Sequence, residues 1–419
     1  MKKNAPWFLI IFFALALGFL VVNQWRGMVF SQESLSKEDL LQAVGIDPGN
    51  PDPFYKLGIL YQWNFQKVDL MESSQYLQKA IEKNPLEQEY WLSLAKVLQR
   101  MGEMEHSEEA LEKAVLTFPT GYKGRWTGGN LLLQAGSLEK AFSHFSYILT
   151  YYPNQSGLVY DVCEKTVDDP GVILDRLVPE KPESLNQYLG HLYESGDKEM
   201  AQKAWEKRVS LGYGVEGEEA LKHIDFLISQ REIQDAFQVW KARLREEGRA
   251  TPSDHDLITD GGFEQEKGLG RGFDWRIGKV LGAEISYDSS VAYEGKKSLK
   301  IIFNGKENVD FHQVSQYVPL KARTEYTLKA RMKTKDITTR SGLKIEVAGI
   351  HSGVYQASED LVGDNDWKEM IVSFRTAEDS AGGLVRIRRA RTDKFDRLIS
   401  GTVWVDNVQL TEITRQSSY

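Results

Sequence analysis

PLEQEYWLSLAKVLQRMGEMEHSEEALEKAVLTFP, from Pro85 to Pro119, carries the pattern on which the fold of this 419-residue chain turns. Trp91, Leu94, Ala95 and Leu98 recur at helical spacing and fall on one face. Leu111 and Ala114 follow on a second helix, which Pro119 closes. Pro85, Pro119 and Pro153 stand 34 residues apart twice over. A period of that length marks stacked supersecondary units, none of which can bury its apolar face alone.

The neighbouring units keep the same order. The third has Gly129 and Leu132, then Ala141 and Phe145 ahead of Pro153. The first has Leu57, Gly58 and Tyr61, then Ala80 ahead of Pro85, with three extra residues in its turn. These residues resemble the tetratricopeptide repeat, in which small residues let two antiparallel helices approach and large ones fill the gaps. Two looser units follow: Leu189, Gly190, Tyr193, Ala201 and Trp205, then Leu227, Ala236 and Trp240. Val159 to Val178 departs from the pattern. The resemblance implies an all-α solenoid over residues 54–248, behind a polar linker at 31–53 that ends in the helix-breaking DPGNPDP. It also implies a protein partner held on the repeat surface. The acidic balance of this part suits a basic partner segment, and equally a solvated acidic surface.

After Arg249-Ala250-Thr251-Pro252 the period changes. SLKIIF, TEYTLKARM, LKIEVAGI, WKEMIVSF, LVRIRRA and GTVWVDNVQL alternate apolar with polar residues, and turns such as Asn304-Gly305 and Gly382-Gly383 separate them. Short strands of this kind predict an all-β antiparallel sandwich over residues 256–414. Within it LITDGGFE, GFDWRIG, YEGKKSLKIIF, VSQYVPLKARTEYTLKARMKT and GTVWVDNVQL occur in one order. Together they resemble the jelly-roll carbohydrate-binding modules (family 4/9 type) found on xylanases, cellulases and related glycan-active proteins.

That resemblance implies two sites. One is a structural calcium ion held by Glu264 and Asp406, with backbone carbonyls near Gly295 and Lys297 completing the oxygen shell. The other is a sugar groove on the concave sheet, with Trp275, Arg276, Gln313, Gln316 and Tyr317 as candidates and Phe311 and His312 near the same face. Aromatic rings take the apolar faces of a sugar, and planar polar groups take its hydroxyls. Strand alternation puts Val385 and Ile387 inward and Arg386 and Arg388 together on the opposite face. With Arg389 and Arg391 nearby, they suit an anionic polysaccharide; an ordinary solvated strand face reads the same way.

The rest of the chain bounds the function. A net charge of −8, with the acidic excess ahead of Asp256, argues against a nucleic-acid partner. The single cysteine, Cys163, excludes an intrachain disulfide and a cysteine-built zinc site, and its apolar neighbours predict a buried thiol. H-E-x-x-H, G-x-S-x-G and P-loop motifs are absent, and Gly268, Gly270 and Gly272 open no helix, so a non-catalytic protein is expected. Lys2 and Lys3 precede an uncharged apolar run from Trp7 to Val22, and Trp25 follows it. This pattern predicts one transmembrane helix within residues 1–30, anchoring the chain in the cell membrane as a single-pass protein with everything after Arg26 outside the cytoplasm, in the periplasm or on the outer face. The expected function is a scaffold of exopolysaccharide or cell-surface glycan assembly or export, holding polysaccharide on the sandwich and protein on the repeats. The alternative is a protein-only adaptor whose sandwich binds protein.

Overall fold

The computed structural model describes residues 12–22, 25–26, 36–63, 68–215, 217–253, 256–265, 268–350 and 353–413. They fall into two compact units, Met1–His191 and Leu192–Tyr419.

The first unit is helical. The N-terminal run corrects one expectation. Part of Trp7–Val22 lies outside the described residues, and the helix described over 12–22 reaches about 16 Å, roughly half a hydrocarbon core. Among the described residues no helix is long and apolar enough to cross a membrane. The predicted single-pass anchoring, and the extracytoplasmic location drawn from it, are therefore not supported.

Helix α1 (Lys37–Ile46) starts at Ser36, whose side chain accepts from Asp39 N. Helices α2 (Pro51–Trp63) and α3 (Leu70–Lys83), α4 (Gln88–Met101) and α5 (Met104–Thr117), and α6 (Tyr122–Gln134) and α7 (Leu138–Tyr151) are consecutive packed pairs. The small residues act as the pattern predicts. A Cβ at Gly58 would lie 2.7 Å from Leu77, and one at Gly129 would lie 2.4 Å from Phe145, so neither site has room for a side chain. Ser73 Oγ donates to Gly58 O at 2.6 Å and Ser107 Oγ to Ala95 O at 2.8 Å, tying the paired helices where they are closest.

The irregular stretch after Pro153 is a shortened unit. Helix α8 (Ser156–Glu164) is followed by a single turn at Pro170–Val172 that runs into a π-helical turn at Ile173–Leu177. Tyr160, Ile173 and Leu177 are fully buried, so the segment keeps a repeat's core while losing its helix length. Cys163 is buried as expected, and burial pushes its thiol up to about 12. Helix α9 (Pro182–Ser195) carries the chain across the boundary.

The second unit joins three more helices to the sandwich: α10 (Lys198–Ser210), α11 (Gly217–Ser229) and α12 (Ile233–Glu246). His223 is stacked on Trp205 with ring centroids 4.4 Å apart, and its Nδ1 meets Tyr193 Oη at 3.0 Å. The sandwich consists of two five-stranded antiparallel sheets. One has the order β1-β4-β9-β6-β7, from Arg276–Ile277, Phe311–Val318, Gly383–Arg389, Lys344–Gly349 and Tyr355–Ala357. The other has the order β2-β3-β10-β5-β8, from Ala283–Asp288, Ser298–Asn304, Ser400–Glu412, Glu325–Lys335 and Asn365–Arg375. Leu299, Ile301, Val403, Val405, Val385 and Ile387 point into the shared core, as the alternation in their strands requires. This is the helical-plus-β-sandwich architecture predicted from the two periods.

Candidate functional site

Strand register assembles the outer face of the β1-β4-β9-β6-β7 sheet. Arg276 lies opposite Ser315, Ser315 opposite Arg386, Arg386 opposite Glu346, and Glu346 opposite Ala357. One crossing thus sets two arginines and a carboxylate in a row over five strands. The neighbouring row runs Tyr317, Leu384, Ala348, Tyr355. Gln313 precedes Ser315 by two residues on β4, and Arg388 lies opposite Lys344.

The side chains on this face contact one another. The Arg276 guanidinium lies 4.3 Å over the Tyr317 ring, a cation–π stack, and its Nη1 donates to Gly272 O at 2.9 Å. Burial lowers its pKa, and the charges of Asp225 and Asp274 oppose that shift. Glu346 is fully buried at the centre of the face. Its Oε2 accepts from Tyr355 Oη at 2.7 Å, which raises the Tyr355 pKa and keeps the phenol a donor. Its Oε1 lies 2.6 Å from Arg386 Nη2 without hydrogen-bond alignment, and Arg386 Nε is likewise buried without a bond. Arg388 pairs with Asp310 and reaches Glu346 only at 3.9 Å. Lys344 pairs with Asp360 at 3.4 Å. The face therefore offers planar, hydrogen-bonding, internally neutralised groups beside a guanidinium–aromatic stack.

Five of the predicted residues meet here: Arg276, Gln313, Tyr317, Arg386 and Arg388. Two do not. Trp275 is 3% exposed, packs on Phe263 at 5.1 Å and donates Nε1–H to Asp260 O, because it stands in the irregular segment just ahead of β1 and its ring turns into the core. Gln316 is fully buried and clips the strand to Thr259, accepting from its N at 2.9 Å and donating to its O at 2.8 Å. Phe311 is core as well, and so is Arg389, whose Nε donates to Ser341 O and Nη2 to Arg397 O. Glu346 and Tyr355 were missed by sequence reasoning. Alternation along β6, with Ile345 and Val347 inward, could have placed Glu346 on the outer face.

The two acidic residues assigned to calcium converge elsewhere. A Cβ at Gly262 would lie 3.6 Å from Glu264 Cγ and 3.8 Å from Asp406 Oδ1, so both side chains flank the same glycine. Asp406 is fully buried; burial first, and Glu264 as well, raises its pKa. Each carboxylate also accepts amide N–H groups, Glu264 from Lys296 and Lys297, and Asp406 from Tyr293, Glu294 and Asn407. Among the described residues no cluster of three or more His, Cys, Asp or Glu side chains could hold a metal. Two carboxylates flanking one glycine, one of them buried, are hard oxygen donors of the kind a divalent cation takes, with the remaining ligands left to backbone oxygen.

On the first unit, a groove of about 360 Å³ is floored by Trp91, Leu94 and Leu98 and rimmed by Glu103, His106 and Glu109.

Residues 255–393 match the family model described as a carbohydrate binding domain. Among curated proteins, the tRNA(Glu)-specific nuclease WapA of Bacillus subtilis subsp. natto (strain BEST195) is 27% identical over 172 residues, covering 39% of this chain and 7% of WapA. The chain thus spans a small fraction of that relative's length. Among solved structures, the CBM22-1 xylan-binding domain from Paenibacillus barcinonensis Xyn10C is 16% identical, covering 40% of this chain and 100% of its own, at a TM-score of 0.27. YrrB, described as a TPR protein with an unusual peptide-binding site, is 17% identical, covering 44% of this chain and 89% of its own, at a TM-score of 0.28.

Proposed function

We propose that this protein is a non-catalytic scaffold that holds a polysaccharide on the outer face of the β1-β4-β9-β6-β7 sheet and a protein partner on its helical repeats, in the assembly or export of a surface glycan. The observation that carries the reading is the Arg276–Tyr317 stack beside the row of Arg386, Glu346 and Tyr355, on a sandwich that matches a carbohydrate-binding family. Glu346 and Asp310 already neutralise Arg386 and Arg388, so hydroxyl-rich neutral sugars suit the face better than polyanions. Affinity electrophoresis of the full chain against neutral and acidic polysaccharides tests this. Retardation is expected, and Tyr317→Ala and Tyr355→Ala should each weaken it roughly tenfold, an effect in the range of a lost ring stack or charged hydrogen bond. No retardation across the panel would favour the protein-only adaptor. Release of reducing ends from a retained polysaccharide would overturn the non-catalytic reading.

Calcium is part of the same proposal. Glu264 and Asp406 would hold it, and the ion would neutralise two carboxylates that otherwise repel. Calcium should raise the melting temperature by several degrees through binding to the folded state alone. Chelation should reverse the rise, and Asp406→Asn should abolish it. A melting curve indifferent to both calcium and chelator would dismiss the ion.

A further inference from the structure

Helices α11 and α12 reach one end of the sandwich at three strands of the candidate face. Asp225 on α11 binds the turn ahead of β1. Its Oδ2 accepts from Arg271 Nε at 2.8 Å, and its Oδ1 accepts from Gly272 N at 3.4 Å. Gly272 has a φ of +57°, and a Cβ there would stand 3.0 Å from the Trp240 ring, so the turn lies flat on α12. Phe273, fully buried, packs against Phe237 at 5.0 Å, and Trp240 Nε1 donates to Thr259 Oγ1 at 3.2 Å. The hairpin also meets the ends of β4 and β9. Gln234 Nε2 donates to Leu320 O at 3.2 Å, and a Cβ on Gly382 would lie 2.8 Å from Ile233. The carbonyl of Gly272 in turn accepts from Arg276 Nη1 at 2.9 Å.

Taking that face to be the carbohydrate site, we infer that the α11–α12 hairpin is one of its positioning elements: Asp225 and Trp240, acting through the Arg271–Phe273 turn, hold the Arg276 guanidinium against Tyr317. An unrestrained arginine side chain samples many rotamers, whereas the stack on Tyr317 requires the guanidinium to be held over the ring. Fixing Gly272 O removes that freedom before the sugar arrives, so less is lost on binding. Asp225 touches no sugar in this scheme and acts only through the turn.

A double-mutant cycle on the full chain tests it, with xylan, mixed-linkage β-glucan, galactan and alginate as probes in affinity electrophoresis. Arg276→Ala should weaken retention roughly tenfold and Asp225→Ala about fivefold, while the double variant should be no weaker than Arg276→Ala alone. Asp225→Asn, which keeps only the long bond from Gly272 N–H and gives up the ion pair with Arg271, should recover little of the loss. Arg271→Gln releases the same carboxylate without touching the hairpin core, and it should reproduce the Asp225→Ala effect if that variant folds poorly. Asp225 and Arg271 effects that add fully to that of Arg276, or are absent while Arg276→Ala weakens retention, would overturn the positioning role and leave the face intact. No retention of the parent protein, or unchanged retention in both Arg276→Ala and Tyr317→Ala, would overturn the face itself, and the positioning role with it.

Discussion

Trp240→Ala should cost the second unit about 3–5 kcal/mol, the range for emptying a fully buried aromatic site. The side chain has no exposed surface, lies against Gly272 and Phe273, and donates its one polar hydrogen to Thr259. Truncation leaves a cavity and strips Thr259 Oγ1 of its donor at once. Thr259 is also the residue that Gln316 clips, so the loss should spread into β4. Hydrogen exchange in the full chain should therefore show the amides of α12 and β4 losing protection together. Loss of protection confined to α12, with less than about 1 kcal/mol of destabilisation, would mean that the helices and the sandwich fold independently.

The second large effect is a response to acid. His223 is fully buried, and burial first, with the Arg208 charge adding to it, lowers its pKa from 6.5 to about 3. The folded state therefore keeps the ring neutral while the unfolded chain takes up a proton near pH 6.5. The stability that depends on the neutral ring is complete above that pH and is lost as the pH falls from 6.5 toward 3. At pH 4.5 the loss should be about 3 kcal/mol from this residue. Urea titrations of the full chain at pH 7 and pH 4.5 measure it. His223→Gln should be less stable at pH 7, because it gives up the stack on Trp205, but should lose correspondingly less on acidification. An equal loss in parent and variant would assign the acid response to other groups; His144 in the first unit, lowered to about 4, is the next in line.

Much of the architecture was legible because two periods are written directly into the chain. The spacing of Pro85, Pro119 and Pro153, with Gly58, Ala95 and Gly129 at the points of closest approach, is a local pattern that survives into the packed pairs. The stretch around Ile173 was not legible, since a π-helical turn preserves burial without preserving spacing. In the sandwich, long strands such as Glu325–Lys335 declare their inner face by alternation. Trp275 has no such frame: it stands in the irregular segment just ahead of two-residue β1, and its ring turns into the core. Gln316 was misplaced for a different reason: a polar residue can occupy an inward position if a backbone such as that of Thr259 satisfies it. The pairing of Arg386 with Glu346 joins strands 40 residues apart in sequence, and no local signal marks the partner. The grip of α11 and α12 on the sandwich has the same character.

That grip has a mechanical side. The chain leaves α12 through a short peptide segment that enters the sandwich near Asp256, and in a string of independent domains this segment would carry any tension between them. Here Asp225, Gln234 and Trp240 form a second, lateral attachment in parallel with it. Load arriving along α11 and α12 would be shared among the ends of β1, β4 and β9 as well as the connecting peptide, whose Arg249 is itself tied to Gln265.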